Sequence, residues 1–448
     1  MDHARVKALK GGKTTSRKAI KSGRASGNIT PKSSPMASLL TSPTHSTAHS
    51  RAASDDSDDG DSDLEVDMIS SVHSASSVTE TTDENGSVTL DTNALLENIQ
   101  DHKRNNNTTR EEFLEAFIKV IRTKYSPETH LWLDDAATEL TDAFLRGANR
   151  AESPRERLLN LQAFCVTVGC VEELEIYEGA HTTLKQVLVD DDDDECRVWA
   201  IYGLSMAVLY GGGVEEAALE IMEYFIDIIQ TDGDSIEAQD NVAIVAAALA
   251  GWSFVASHVD DYSEYAEAAM DSFVDQLDSS NIQIQSNAAR CIALTFESSR
   301  SHEEDTGKPF QLPYDPQKLA GRLNEIAKMS SKSVSRKDRR ELRDNLLSVV
   351  TSLERGLGPF YSEARYVPEP GQTVAADQMT ADGDYEYGYR YRLRLGGRMA
   401  LVDSWSLYCR VLMMKTLFRN GLEKHVLVNP IVTECLDDAD WSINYGNN

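Results

Sequence analysis

Between Arg110 and Met329 the apolar positions recur at the spacing of one helix face, and polar breakers separate the runs. Glu111–Tyr125 places Phe113, Phe117, Val120 and Ile121 on a single stripe, and Leu131–Leu145 follows as a second helix. Ser153-Pro154-Arg155-Glu156 is a capping box with proline at the first helical position. The helix it starts runs to Val168, and Gly169 ends it. Further helices are predicted at about 172–189, 195–210, 214–230, 236–257, 261–278, 281–298 and 316–329. Helix pairs begin near 172, 214 and 261. That period, roughly 40–47 residues, is the spacing of armadillo and HEAT repeats. Stacked pairs of this kind bury the apolar faces that one pair alone leaves open. No period-two alternation occurs before residue 380. The predicted fold is all-α: an armadillo/HEAT-like α-solenoid over 110–330, after a disordered tail at 1–109 and before a small C-terminal helical domain at 331–448 that contains a short β-hairpin.

The last third departs from the repeat pattern. Ser299–Pro316 holds three prolines and is expected to be a loop that ends the repeats. A cationic cluster then precedes a helix running to about Arg355, where Gly356 and Gly358 stop it. Lys328, Lys332, Arg336, Lys337, Arg339, Arg340 and Arg343 stand there against Asp338 and Glu341. Arg336, Arg340 and Arg343 fall at helical spacing and can share a face. The helix dipole disfavours cations at its N-terminus. Such charges suit an anionic partner, whether nucleic acid or an acidic protein surface; a cationic solvent face of an amphipathic helix is the plain alternative. Tyr389–Leu395 alternates with period two, placing Tyr391, Leu393 and Leu395 on one face and Arg390, Arg392 and Arg394 on the other. Gly396-Gly397 makes the turn, Met399–Val402 returns, and Asp403 or Ser404 caps a helix through Phe418. Arginines interleaved with aromatics can grip phosphates and stack on bases; a hairpin with one buried and one charged face stands beside that reading. Trp405 is expected to pack against the hairpin.

Charge sharpens this division. The chain has 448 residues and a formal charge of −29. Residues 110–327 hold 15 Lys/Arg against 42 Asp/Glu, whereas 328–448 hold 17 against 16. No Lys or Arg occurs between Arg197 and Arg290. Such a surface cannot bind a phosphate backbone, because counterion release needs cations. It is either a solvated acidic face or a docking surface for a basic protein. The tail is polar throughout: nine Lys/Arg and one acid in the first fifty residues, then a Ser/Asp run from Ser54 to Glu65. Too few apolar residues stand there to offset chain entropy. Basic clusters such as Lys7–Lys21 could serve nuclear import, and Ser62 suits an acid-directed kinase.

Little points to catalysis. The six cysteines form no Cys-x-x-Cys pair and are expected to be core thiols in a reducing compartment. Gly211-Gly212-Gly213 lacks the Lys-Ser/Thr of a phosphate-binding loop. Asp190–Asp194 lacks the spacing and glycine of a calcium loop and precedes a helix, where negative charge is favoured. No catalytic residue, metal ligand, cofactor or small-molecule substrate is expected. The uncharged run Asn241–Val259 reads as a buried helix, and the first residues show no apolar secretion segment.

Two C-terminal stretches carry a resemblance. Ser330-Ser331-Lys332-Ser333-Val334-Ser335-Arg336-Lys337-Asp338-Arg339-Arg340 runs into one helix, and Leu401-Val402-Asp403-Ser404-Trp405 opens another. In this order the pair resembles the C-terminal region of the interferon-related developmental regulator family. The resemblance extends back to about Arg110 and leaves the first hundred residues poorly matched; 361–384 reads as an insertion. It implies an armadillo-type repeat domain, a structural place for Asp403, Ser404 and Trp405, and a binding role without enzymatic activity. Two roles are implied: occupying ribosomes and holding them inactive, or nuclear transcriptional co-regulation through protein contacts. Concentration of cations in the C-terminal part favours the ribosome, with that part on rRNA and the acidic solenoid on basic proteins. The rival is a scaffold without RNA contact that holds chromatin-complex peptides in its groove. Either role places the chain in the cytoplasm, the nucleus or both.

Overall fold

The computed structural model describes residues 81–82, 88–89, 98, 105–328, 335–356, 358–361, 389–395 and 398–443. The expected tail, with its basic clusters and Ser62, lies almost wholly outside them.

Five helix pairs follow a single leading helix. α1 (Asn107–Thr123) leads. The pairs are α2 (Pro127–Arg150) with α3 (Pro154–Val168), and α4 (Ile176–Asp190) with α5 (Asp194–Tyr210). Then come α6 (Glu215–Gln230) with α7 (Val242–Ala256), and α8 (Ser263–Gln276) with α9 (Ile282–Thr306). The fifth is α10 (Pro316–Lys328) with α11 (Arg336–Arg355). Capping follows the sequence. Ser153 Oγ accepts from Glu156 N at 3.0 Å with Pro154 at the first position, and Asp193 Oδ1 accepts from Cys196 N at 3.0 Å to start α5.

The second helices pack successively on one another, so α1, α3, α5, α7, α9 and α11 form a continuous inner layer. The first helices form an outer layer with sparser mutual packing. α11 belongs to this scheme as the inner helix of the last pair. Its Leu342, Leu346, Val349, Val350 and Leu353 are buried at helical spacing.

α9 runs eight residues past the expected stop and ends at Gly307, whose φ of 76° is left-handed. The apolar stripe ends near Phe296, but the following Ser, Arg, His and Glu residues are compatible with helix. The end of the stripe marks the end of a packing partner rather than of the helix.

The remaining strands are short. β1 (Thr81–Thr82) pairs with β2 (Val88–Thr89). β3 (Phe360–Tyr361), β4 (Tyr389–Leu395), β5 (Arg398–Val402) and β6 (Asp440–Ile443) form an antiparallel sheet in chain order. Two-residue strands leave no alternation to read, so β1, β2 and β3 depart from the expectation of no strand before residue 380. Leu395 pairs with Arg398, which makes the predicted two-residue hairpin; Leu393, Ala400 and Val402 are its buried face.

Beyond the hairpin come α12 (Trp405–Phe418), α13 (Leu422–Val428) and α14 (Pro430–Cys435). α12 crosses the inner layer, packing on α7 and α9 and reaching α3 and α1. One apolar core therefore runs from Leu114 to Ala439.

Candidate partner-binding surfaces

Of the cationic residues singled out by sequence, most fall on two elements. Arg336, Lys337, Arg339, Arg340 and Arg343 occupy the first turns of α11, and Lys332 lies outside the described residues. Ser335 caps the helix, its Oγ accepting from Asp338 N at 3.1 Å. Asp338 is the single acid of the first turn, so the turn stays strongly cationic. Arg343 is exposed and Arg339 half-buried, its Nε donating to Ser335 O at 3.4 Å.

Arg390, Arg392 and Arg394 lie along β4, the strand that also carries buried Leu393. Arg390 is registered with Phe360, just beyond the C-terminal end of α11. Arg336 opens the same helix about 28 Å away along its axis. The topology thus sets the two arginine groups toward opposite ends of α11.

The acidic middle resolves into two different faces. On α6, Glu216, Glu220, Glu223 and Asp227 are exposed at positions sharing one side of the helix. On α8 and the turn that follows it the corresponding acids are partly used. Asp271 Oδ1 accepts from Tyr314 Oη at 2.6 Å, Asp278 Oδ1 accepts from Arg322 Nη2 at 2.8 Å, and burial raises the carboxyl of Asp275 between them. Asp191 in the acidic run is likewise structural, bonded to Arg157 at 2.8 Å.

Asp403-Ser404-Trp405 is the entry to the seat of α12. Ser404, rather than Asp403, is the N-cap, and its Oγ accepts from Leu407 N at 3.1 Å. Glu297 of α9 accepts from Trp405 N and Ser406 N, both at 2.8 Å, a carboxylate placed where the helix dipole favours it. Trp405 is 2% exposed, and its Nε1 donates to Ser352 Oγ on α11 at 2.8 Å. Its side-chain hydrogen-bond partner is thus on α11. A methyl group on Gly358 would overlap the indole.

Ser257, which ends α7, accepts through its carbonyl from Ser406 Oγ and Arg410 Nε, both at 3.1 Å. At the other end of α12, Arg122 Nε donates to Leu417 O at 2.7 Å. Burial and nearby Arg419 bring that guanidinium down to about 9. The helix therefore meets an acid at its N-terminus and a base at its C-terminus, both supplied by the inner layer. Sequence reasoning missed Glu297 and Arg122, which are ordinary charges within helices and become partners only through contacts more than 100 residues away in the chain.

α13 and α14 finish the seat. His425 is fully buried, stacked between Tyr125 and Phe418 at 4.3 and 3.8 Å. Its Nε2–H donates to Ile121 O at 2.9 Å, while its Nδ1 accepts from Asn429 Nδ2 at 3.0 Å. Cys170 Sγ lies 4.0 Å from the same Nδ1. Cys170, His425 and Asn429 are the residue types of a thiol-protease triad, yet here they are a core network. Cys170 is fully buried, and burial pushes its thiol far above the range of a reactive thiolate. All six cysteines are buried free thiols. Among the described residues no group of three His, Cys, Asp or Glu could hold a metal ion, and no helix is long and apolar enough to cross a membrane.

An engineered protein of known crystal structure aligns with 58% of this chain and 97% of its own at a TM-score of 0.34 and 13% identity, too loose a likeness to carry weight. An uncharacterized protein of Schizosaccharomyces pombe is 24% identical over 262 residues, 55% of this chain; the chain spans 57% of that relative's length. The family model of the interferon-related developmental regulators matches residues 66–354. The match starts well before Arg110, inside the stretch expected to match poorly, and ends one residue before α11 does. It covers all five helix pairs and the cationic turn. The chain belongs to the interferon-related developmental regulator family.

Proposed function

We propose that this regulator acts by associating with ribosomes and restraining translation, with the cationic start of α11 on rRNA and the acidic outer helices toward basic proteins. One observation carries the reading. A single helix turn concentrates Arg336, Lys337, Arg339 and Arg340 at the end of a repeat array whose middle, from Val198 to Ala289, has no Lys or Arg at all. Phosphate binding depends on such density, and the salt dependence of affinity follows from it. The arginines of β4 offer a second contact of the same kind, set apart along α11.

The rival reading, a nuclear scaffold holding chromatin-complex peptides without RNA contact, needs an open inner face. α12 lies across that face, so the ribosomal reading is favoured. Sedimentation of the full chain with purified ribosomes through a sucrose gradient tests the choice. Co-sedimentation at low salt that disappears on raising salt is expected. Sedimentation with free protein at every salt concentration would leave the scaffold reading in its place, in the cytoplasm or the nucleus.

A further inference from the structure

Four large apolar side chains stand in solvent along one edge of the molecule: Leu131 at 65%, Leu174 at 75%, Val214 at 63% and Leu427 at 58% exposure. They come from four separate segments that the fold brings side by side. Leu131 opens α2 next to His130, which bonds Tyr125, and Tyr125 stacks on His425 of α13, two residues before Leu427. Asn429, two residues after Leu427, donates to Gly169 O at 2.8 Å at the α3–α4 turn that carries Leu174. Leu174 backs directly onto Gly212 in the α5–α6 turn, two residues before Val214. In α13 the buried His425 faces the core, so Leu427 points outward. None of these four positions serves the core, and together they form a row rather than scattered surface leucines.

The rim of the row is acidic. Glu128, Glu172, Glu175, Glu215, Glu216 and Glu423 are exposed around it, against Lys124, Arg419 and Lys424. We propose that this edge docks a basic amphipathic helix of a partner protein. Successive repeats stack at about the 8–10 Å of packed helices. Seven residues of an α-helix advance about 10.5 Å. A helix with an apolar residue at every seventh position therefore presents one anchor to each turn, and its Lys/Arg flanks meet the glutamates. A second copy of this chain is disfavoured as occupant, because the same acidic rim would face it at a net charge of −29. The chain's own basic block, residues 1–24, has the charge but offers only Met1, Val6, Leu9 and Ile20 as large apolar anchors, no two of them seven residues apart. The proposal rests on the reading that the acidic solenoid meets basic proteins, and it places that contact at the turn edge, where α6 contributes only its first residues.

The probe is a labelled 21-residue peptide rich in Lys and Arg with leucine at every seventh position, beside a scrambled peptide of the same composition. Fluorescence anisotropy with the full chain at about physiological salt reads binding. The ordered peptide is expected to bind about tenfold or more tightly than the scrambled one. The variant Leu174→Ser/Val214→Ser/Leu427→Ser should erase that difference while its thermal midpoint stays unchanged, since three exposed side chains leave the core intact. Equal binding of both peptides, or a variant that keeps the preference, would overturn the proposal by reducing the edge to a diffuse acidic field. A synthetic peptide of residues 1–30 that displaces the ordered peptide at lower concentration would also overturn it, assigning the edge to the chain's own tail. Ribosome co-sedimentation of the same variant separates the two readings: retained sedimentation without peptide binding leaves the α11 contact standing.

Discussion

His425 shows how one residue's chemistry can hold distant parts of a chain together. Its neutral imidazole uses each nitrogen in a fixed sense, donating from Nε2 to Ile121 O and accepting at Nδ1 from Asn429. Asn429 cannot easily turn over, because its Nδ2 also donates to Gly169 O while its Oδ1 accepts from Val432 N. A proton on Nδ1 would therefore confront another donor, and burial lowers the imidazole from 6.5 to about 4. The depressed value makes the unfolded chain bind the proton first. Stability is then full above about pH 6.5 and falls as pH drops toward about 4, below which both states are protonated and the decline stops. The slope is about 1.4 kcal/mol per pH unit, on the order of 3 kcal/mol over the window. Denaturant midpoints of the wild type and of His425→Phe, compared at pH 7.5 and pH 5, check this. The variant should start lower, because phenylalanine makes neither hydrogen bond, but should drop clearly less on acidification. An identical drop in both proteins would assign the acid sensitivity elsewhere. The sequence shows His425 only as one of ten dispersed histidines, since its partners lie some 255 and 304 residues away.

At the scale of elements, the helices are legible because each carries its own stripe, cap or stop. The capping box at Ser153, the stop at Gly169 and the pair starts near 172, 214 and 261 all depend on residues within one or two turns. Which face meets which is not legible. α12 carries the stripe Leu407, Val411, Met414 and Phe418 on one side, and Tyr408, Cys409 and Met413 off that stripe are buried as well. Its sequence therefore announces burial without naming the inner layer as the place. The short α13 and α14 lack a full stripe and give no periodic signal. The seat of α12 bears on stability. Without it, Glu297 and Arg122 would be deprived of their helix-end partners and the apolar inner faces of α7 and α9 would meet water. A chain ending at Gly356 is accordingly expected to keep most of its helical circular dichroism, bind a hydrophobic dye, and unfold at a lower denaturant midpoint and less cooperatively. Unchanged midpoint and cooperativity would mean that α12–α14 rests on an already complete array, with residues 110–330 folding independently.

At the scale of the whole molecule, charge and packing divide the surface. The inner layer is occupied by the chain's own α12, the outer layer exposes acid on α6, and the repeat array ends in the cationic turn of α11. Composition makes the charge division legible, because a run of 92 residues without Lys or Arg stands out in any fold. The placement of the two arginine groups is not legible, because the pairing of β3 with β4 is a long-range fact. The proposed ribosomal role rests most heavily on the start of α11. The direct test is ribosome binding by Arg336→Glu/Lys337→Glu/Arg339→Glu/Arg340→Glu across a salt series, with circular dichroism confirming that the fold is kept. The expected result is weaker binding and a shallower salt dependence, by roughly 0.7–0.9 in logarithmic slope for each phosphate that is no longer neutralised. Wild-type affinity with wild-type salt dependence would contradict it, removing α11 from the interface and leaving the acidic surfaces as the means of docking.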